Sequence, residues 1–249
     1  MNKNSLAIVT PTHKNVLSPK EVLRINKTLS SCKGADHYFL VPDNLEIGKL
    51  RSTFMTSRFL KMPDWYFKSI DHYNILMLQE SLYLKFNEYE FLLVCQPDAI
   101  VVGDISILFS FDYFGASWVK DYVLTECFGS LLVNRSMWPI GRCTTISAGN
   151  GGLSLRNVAK SLEIIKFGKT KFYWREFERV EKRKLNEDVV FAFLYKQLGF
   201  RIPSREEANR YFVETNSFDP KALGDLIGFH ALEKYQPSVE ELLFKELDI

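Results

Sequence analysis

The stretch "EFLLVCQPDAIVVGD", residues 90–104, constrains the fold more than any other part of the chain. It is the most apolar strand pattern present, and Gln96-Pro97-Asp98 breaks it in the middle. Proline donates no ladder hydrogen bond, and an unpaired buried carboxylate is costly, so a central strand rarely holds either in its interior. The run therefore reads as a buried strand that ends at a sheet edge and delivers Asp98 there. Shorter apolar runs at 6–10, 37–42, 57–62 and 113–119 read as further strands. Helices alternate with them. Ser18, Pro19 and Glu21 make a capping box with proline at the first helical position, so a helix starts there. The segment 71–86 reads as one largely buried helix beginning at Asp71, and 155–166 and 186–199 read as two more, the last ending at Gly199. This alternation predicts an α/β fold with a mainly parallel sheet. The tail from Pro237 reads as a short amphipathic helix, giving an expected domain over 1–236 and a helical extension over 237–249.

Composition serves mainly to exclude. In 249 residues, 46% apolar and 14% aromatic side chains are ample for a core, and nothing suggests disorder. A net charge of +2 gives no general case for nucleic acid. The four cysteines are widely spaced with no CxxC pair, which excludes a zinc ribbon and fits a reducing compartment. No run approaches the roughly 20 apolar residues of a membrane span. A cytoplasmic protein is expected. The basic, aromatic segment 166–184 reads either as a solvated helix face or as a peripheral contact with the inner membrane or an anionic acceptor.

Several residues could carry chemistry. Asp98, at a strand end, is an oxygen ligand suited to Mg²⁺ or Mn²⁺, or else caps a loop. Asn150-Gly151-Gly152 is either a tight turn or a backbone shelf under a ligand. Asn186 is a candidate N-cap. Glu187 and Asp188 follow in the first turn, where the helix dipole favours acids, and one of them could serve as a general base. His230 with a carboxylate suits Mn²⁺, and Lys234 suits a phosphate.

Taken in order, "YNILML" (73–78), "LLVCQPDAIVV" (92–102), "FDYFGASW" (111–118), "GNGGLSLR" (149–156), "NEDVVF" (186–191) and "GFHALEKY" (228–235) resemble a bacterial glycosyltransferase-like family catalogued as a domain of unknown function. That family is similar to the GT-A-fold nucleotide-sugar glycosyltransferases. The resemblance implies a GT-A-like, Rossmann-like mixed sheet flanked by helices. It further implies sugar transfer from a nucleotide donor, UDP-linked, to a hydroxyl of a cell-surface glycan precursor such as lipopolysaccharide, O-antigen or capsule, including lipid-linked acceptors.

By the same resemblance Thr10 and Thr12 line the nucleotide, with Tyr73 and Asn74 nearby. Asp98 and His230 hold Mn²⁺ or Mg²⁺, Lys234 lies near the diphosphate, and Asn150, Gly151 and Gly152 form the shelf under the donor sugar. Asp188 is the first choice of base for an inverting reaction and Glu187 the second. "FHALEKY" also loosely resembles retaining galactosyltransferases, in which that base role disappears. There is one departure. Where many GT-A enzymes have DxD, Gln96-Pro97-Asp98 keeps only the second acid, so Gln96 contributes no charge. The rival readings are an inactive GT-A module that binds glycan or a partner enzyme, and a sugar nucleotidyltransferase. "TPTHKN" after the first strand matches the phosphate loop of the latter poorly.

Overall fold

The computed structural model describes residues 4–127, 130–133, 142–170, 186–215 and 220–247. β1 (Asn4–Pro11), β2 (Asp36–Pro42), β3 (Arg58–Met62) and β4 (Tyr89–Cys95) are all parallel to one another. Between them come α1 (Pro19–Ser31), α2 (Gly48–Thr53), α3 (Ile70–Met77) and α4 (Glu80–Leu84). β5 (Ala99–Val101), β6 (Tyr113–Gly115), β7 (Ser117–Cys127), β8 (Ser130–Val133), β9 (Arg142–Ala148) and β10 (Leu153–Asn157) follow. The chain continues through α5 (Val158–Thr170), α6 (Glu187–Gln197), α7 (Arg205–Tyr211), β11 (Phe212–Val213), β12 (Gly228–His230), α8 (Leu232–Tyr235) and α9 (Pro237–Glu246).

Among the described residues the strands form three sheets, with orders β3-β2-β1-β4-β10-β6, β11-β12-β5 and β8-β7-β9. In the first, β10 runs antiparallel to both β4 and β6. Side chains alternate across it. Ala7, Val9, Leu92 and Val94 meet Leu76, Leu82, Tyr83 and Phe191 on one face. Leu6, Ile8, Leu93 and Cys95 meet Ile105, Leu108 and Phe114 on the other. Burial on both faces is why β4 is apolar throughout rather than alternating. Cys32 and Cys95 are free thiols inside this second cluster.

The interrupted stretch 90–104 proves to be two strands in two sheets. Gln96 N–H bonds to Gly152 O at 2.9 Å, Ala99 N–H closes a turn onto Gln96 O at 2.8 Å, and β5 then joins β12. Asp98 lies at the pivot. The capping box at Ser18 is formed: Ser18 N–H donates to Glu21 at 2.7 Å and Glu21 N–H to Ser18 Oγ at 3.3 Å.

Three expectations need correction. The single helix over 71–86 is two helices, capped by Ser69 rather than begun at Asp71. At the break, Gln79 Nε2 takes the Ile75 carbonyl at 3.1 Å while its own N–H tightens onto Leu76 O at 3.0 Å. A segment apolar on every side has no amphipathic phase to hold it in one continuous helix. The helix expected from 155 starts at Val158, because Leu153–Asn157 is a strand paired on both edges. Short apolar runs leave period alone unable to separate strand from helix. The strand over 113–119 is split, Tyr113–Gly115 staying in the large sheet while Ser117 opens the sheet of β7.

α9 packs Leu243 against Ile100 and Phe229, and its buried Glu240 pairs with buried Arg24 of α1. Of the basic segment 166–184, residues 171–184 lie outside the described residues. Among the described residues no helix is long and apolar enough to cross a membrane.

Candidate active site

A cavity of about 940 Å³ opens where β1 and β4 end. These parallel neighbours flank the point where strand order reverses, the usual ligand crevice of an open α/β sheet. Pro11, Thr12, His13 and Lys14 line it from the end of β1, and Gln96, Pro97 and Asp98 from the end of β4. α3 contributes Tyr73 and Asn74, the turn before β10 contributes Asn150, Gly151 and Gly152, and the start of α6 contributes Asn186, Glu187 and Asp188. His230 and Glu214 complete it from the three-stranded sheet, with Arg24 from α1.

The two shelf glycines are explained by neighbours within the chain. A Cβ on Gly152 would stand 2.0 Å from Cε1 of His230, and one on Gly151 would stand 2.6 Å from Oε1 of Glu187. Neither glycine has a φ in the left-handed region; Gly149, at φ 134°, does. Close approach, not backbone conformation, is what Gly151 and Gly152 supply. Asn150 Oδ1 accepts from Gly152 N–H at 3.1 Å and fixes the turn.

His230 is clasped from two sides. Its Nε2 lies 3.3 Å from Asp98 Oδ1 and 3.2 Å from Gln96 Oε1, and its Nδ1 lies 3.1 Å from Glu214 Oε1, an ion-pair contact bent away from ideal hydrogen-bond alignment. Burial would lower the imidazole, but the two carboxylates outweigh it and raise His230 to about 9. Burial would likewise raise Asp98, and the ring beside it holds the carboxyl below its usual range instead.

At the start of α6, Glu187 is tied to a fully buried guanidinium: Arg156 Nη2 donates to its Oε1 at 2.9 Å. Arg156 also donates to Tyr83 at 2.8 Å and lies over the Phe191 ring at 4.8 Å. Asp188 accepts Gly151 N–H at 3.0 Å and Val189 N–H at 2.7 Å. Its own burial, and next the charge of Glu187, push its carboxyl up to about 8. Asn186 occupies the N-cap position, but its side chain makes no capping bond among the described residues; Oδ1 accepts from Asn74 Nδ2 at 3.2 Å instead.

Two expected donor-binding residues stand apart from this cavity. Thr10 is buried and its hydroxyl contacts His37 Nε2 at 3.0 Å, one strand away. Lys234 is exposed, with its ammonium 4.8 Å over the Tyr235 ring. Arg156 and Glu214 were not legible as site residues. The register of β11 beside β12 could have pointed to Glu214, but a two-residue strand gives no sequence signal.

Two crystal structures of the galactosyltransferase LgtC match the chain. One is in complex with donor and acceptor sugar analogs, at 12% identity and TM-score 0.57, covering 98% of this chain and 96% of that one. The other, an active-site mutant of LgtC, matches at 12% identity and TM-score 0.56, over 97% and 95%. At such identity the likeness is one of fold, and the GT-A-like α/β fold implied by the sequence is the fold observed. Comparison with curated proteins gives no match. A family model matches residues 56–230, from just before β3 to His230 at the end of β12, and the chain belongs to the family described as Protein of unknown function (DUF5672).

Proposed function

We propose that the protein is a glycosyltransferase moving a sugar from a UDP-linked donor to a hydroxyl of a cell-surface glycan precursor, with inversion at the anomeric carbon. The observation that supports it most is the convergence of Thr12, Asp98, His230, Asn150-Gly151-Gly152 and Asp188 on one cavity at the carboxyl ends of β1 and β4. A general base works best when its pKa lies near the working pH, and Asp188, at about 8, meets that condition. In this reading the acceptor hydroxyl gives its proton to Asp188 as its oxygen bonds to the anomeric carbon. The bond from that carbon to the diphosphate breaks, and its electron pair leaves with UDP. Glu187, held by Arg156, orients the start of α6 and keeps the Asp188 carboxyl high.

A divalent cation, Mn²⁺ or Mg²⁺, fits the donor set of Asp98, Gln96 and His230. Their carboxylate, amide oxygen and neutral imidazole nitrogen, which face one another at 3.2 and 3.3 Å, would hold such a cation. Among the described residues no three His, Cys, Asp or Glu side chains group to hold a metal, so the chain would supply one carboxylate, one imidazole and a neutral amide oxygen. Such a cation would neutralise charge on the departing diphosphate.

Calorimetric titration of UDP and GDP, each with Mn²⁺ or EDTA, into wild type and Asp98→Ala tests the reading. Binding of UDP that needs Mn²⁺ and is lost in the variant supports it. Absence of nucleotide binding under every condition overturns it in favour of a glycan-binding module. Once transfer is detected, the anomeric configuration of the product decides between inversion and retention.

A further inference from the structure

α3 brings two adjacent polar residues to the cavity, and the fold treats them differently. Asn74 is buried and spends its amide on Asn186, with Nδ2 3.2 Å from Oδ1, which ties α3 to the start of α6. Tyr73 packs its ring against the core on that face of the sheet and lines the cavity. Its hydroxyl oxygen is buried, and among the described residues no aligned hydrogen bond reaches it. Three tyrosines of the same core are satisfied. Tyr83, Tyr113 and Tyr195 donate to the carbonyls of Met77, Gly149 and Asn157 at 2.9, 2.5 and 3.2 Å. A buried hydroxyl without a partner is costly and rare, so the exception at Tyr73 needs a cause.

We infer that Tyr73 is a specificity-determining residue: its hydroxyl donates to a hydroxyl of a neutral hexose on the donor, and not to the nucleotide. The inference rests on the reading of the cavity as a nucleotide-sugar site. The surroundings of the hydroxyl carry it. Burial pushes the phenol above its ordinary range, and the charge of Glu187 adds to the push while Arg156 and the Gln96 amide oppose it, so the group stays an O–H donor. The charged groups lining the cavity here are the carboxylates of Glu187 and Asp188. Arg156 stands behind them, with Nε, Nη1 and Nη2 donating to Ser154, Tyr83 and Glu187. Lys14, Arg24 and exposed Lys68 also line the cavity, but the charges that act most on this hydroxyl are Glu187 and Arg156. A phosphate beside Tyr73 would meet the acids, and an apolar group would leave its hydrogen unbonded. A neutral hydroxyl suits both, accepting from Tyr73 while donating to an acid or amide oxygen. The shelf is close by, because Oε1 of the same Glu187 lies 2.6 Å from where a Cβ on Gly151 would stand.

The test is calorimetry on the full chain with Mn²⁺, comparing UDP with UDP-glucose, UDP-galactose and UDP-N-acetylglucosamine in wild type and Tyr73→Phe. The variant keeps the ring in the core and removes only the hydroxyl. For the UDP-sugar that wild type binds most tightly, affinity should fall roughly 3–10-fold in Tyr73→Phe, the worth of one hydrogen bond, while UDP affinity stays the same. Urea unfolding of the variant should match wild type, because no internal bond is lost. Equal weakening of UDP and UDP-sugar assigns the hydroxyl to the nucleotide and overturns the inference. An unchanged UDP-sugar complex overturns it, as does a wild type that binds UDP and none of the three sugars. A clear loss of stability in Tyr73→Phe also overturns it, because it reveals a partner inside the chain. Each of these results leaves UDP binding, and with it the transferase reading, in place. If wild type binds no UDP, that reading fails and takes the inference with it.

Discussion

His37 and His230 are buried to the same degree, at 6% and 8% exposure, and end up with opposite chemistry. His37 sits on β2 in the large sheet between two hydroxyls, with Nε2 3.0 Å from Thr10 and Nδ1 2.7 Å from Ser57. Burial there goes unopposed and pushes the ring down to about 4. His230 sits on β12 between two carboxylates, and the same burial is outweighed, leaving it at about 9. Desolvation therefore tells little about a buried histidine's role. Its partners decide whether it stays a neutral strut or becomes a charged group facing a cavity.

The largest way to break this contrast is to remove charge from the cavity floor. Arg156 is fully buried and pairs with Glu187, so Arg156→Met leaves a buried acid without its guanidinium. A loss of about 3–5 kcal/mol in urea unfolding is expected. If the cost stays below about 1 kcal/mol, Glu187 finds water or another partner, and the floor is less dry than it looks.

Next come the two pH limbs, measured in EDTA so that only protons bind. His37 is depressed from 6.5 to about 4, so its contribution is full above pH 6.5 and is lost as pH falls toward 4. His230 is raised from 6.5 to about 9, so its contribution is full below pH 6.5 and is lost as pH rises through 9. Each limb spans roughly 3 kcal/mol at most. His37→Gln should flatten the acid limb between pH 6.5 and 4 and leave the alkaline limb, and His230→Asn should flatten the alkaline limb and leave the acid limb above pH 4. Equal flattening of one limb by both variants would erase the distinction.

The third break is steric. Gly152→Ala drives a methyl into the His230 ring, at a cost of about 1–3 kcal/mol for overpacking. Because the displaced ring carries the cavity's only described imidazole contact to Asp98, Mn²⁺-dependent UDP binding should fall at least tenfold in calorimetry. Unchanged binding would show that the ring can move without consequence.

What could be read in advance follows the same divide. The parallel strands of the large sheet were legible because β1, β2 and β4 are buried on both faces and their turns carry strong punctuation: Pro11, the Ser18 capping box, Pro42-Asp43; antiparallel β10 was not. The break at Gln96-Pro97-Asp98 correctly marked a strand end, while the closeness that Gly151 and Gly152 permit is to Glu187 and His230 of the chain itself. The three-stranded sheet was not legible. β11, β12 and β5 are two or three residues each, too short to show a period, and β5 joins the other two from more than a hundred residues away. Glu214 and Arg156 were missed for that reason: an acid or a base gains its meaning from a partner that only the fold supplies.

The smallest effect is expected at Thr10, and it sharpens the contrast most. Thr10 precedes Pro11 at the end of β1, a residue type and place that suggest nucleotide contact, yet its hydroxyl faces His37 inside the sheet. Thr10→Val keeps the shape and removes one buried hydrogen bond, so stability should drop by about 1 kcal/mol. UDP affinity should stay the same within error, because Thr12, two residues on, is the threonine that lines the cavity. Thr12→Val should do the reverse, weakening UDP with little change in unfolding. If Thr10→Val weakens UDP as much as Thr12→Val does, the hydroxyl–imidazole pair on β2 belongs to the site, and the two histidines work in one region rather than two.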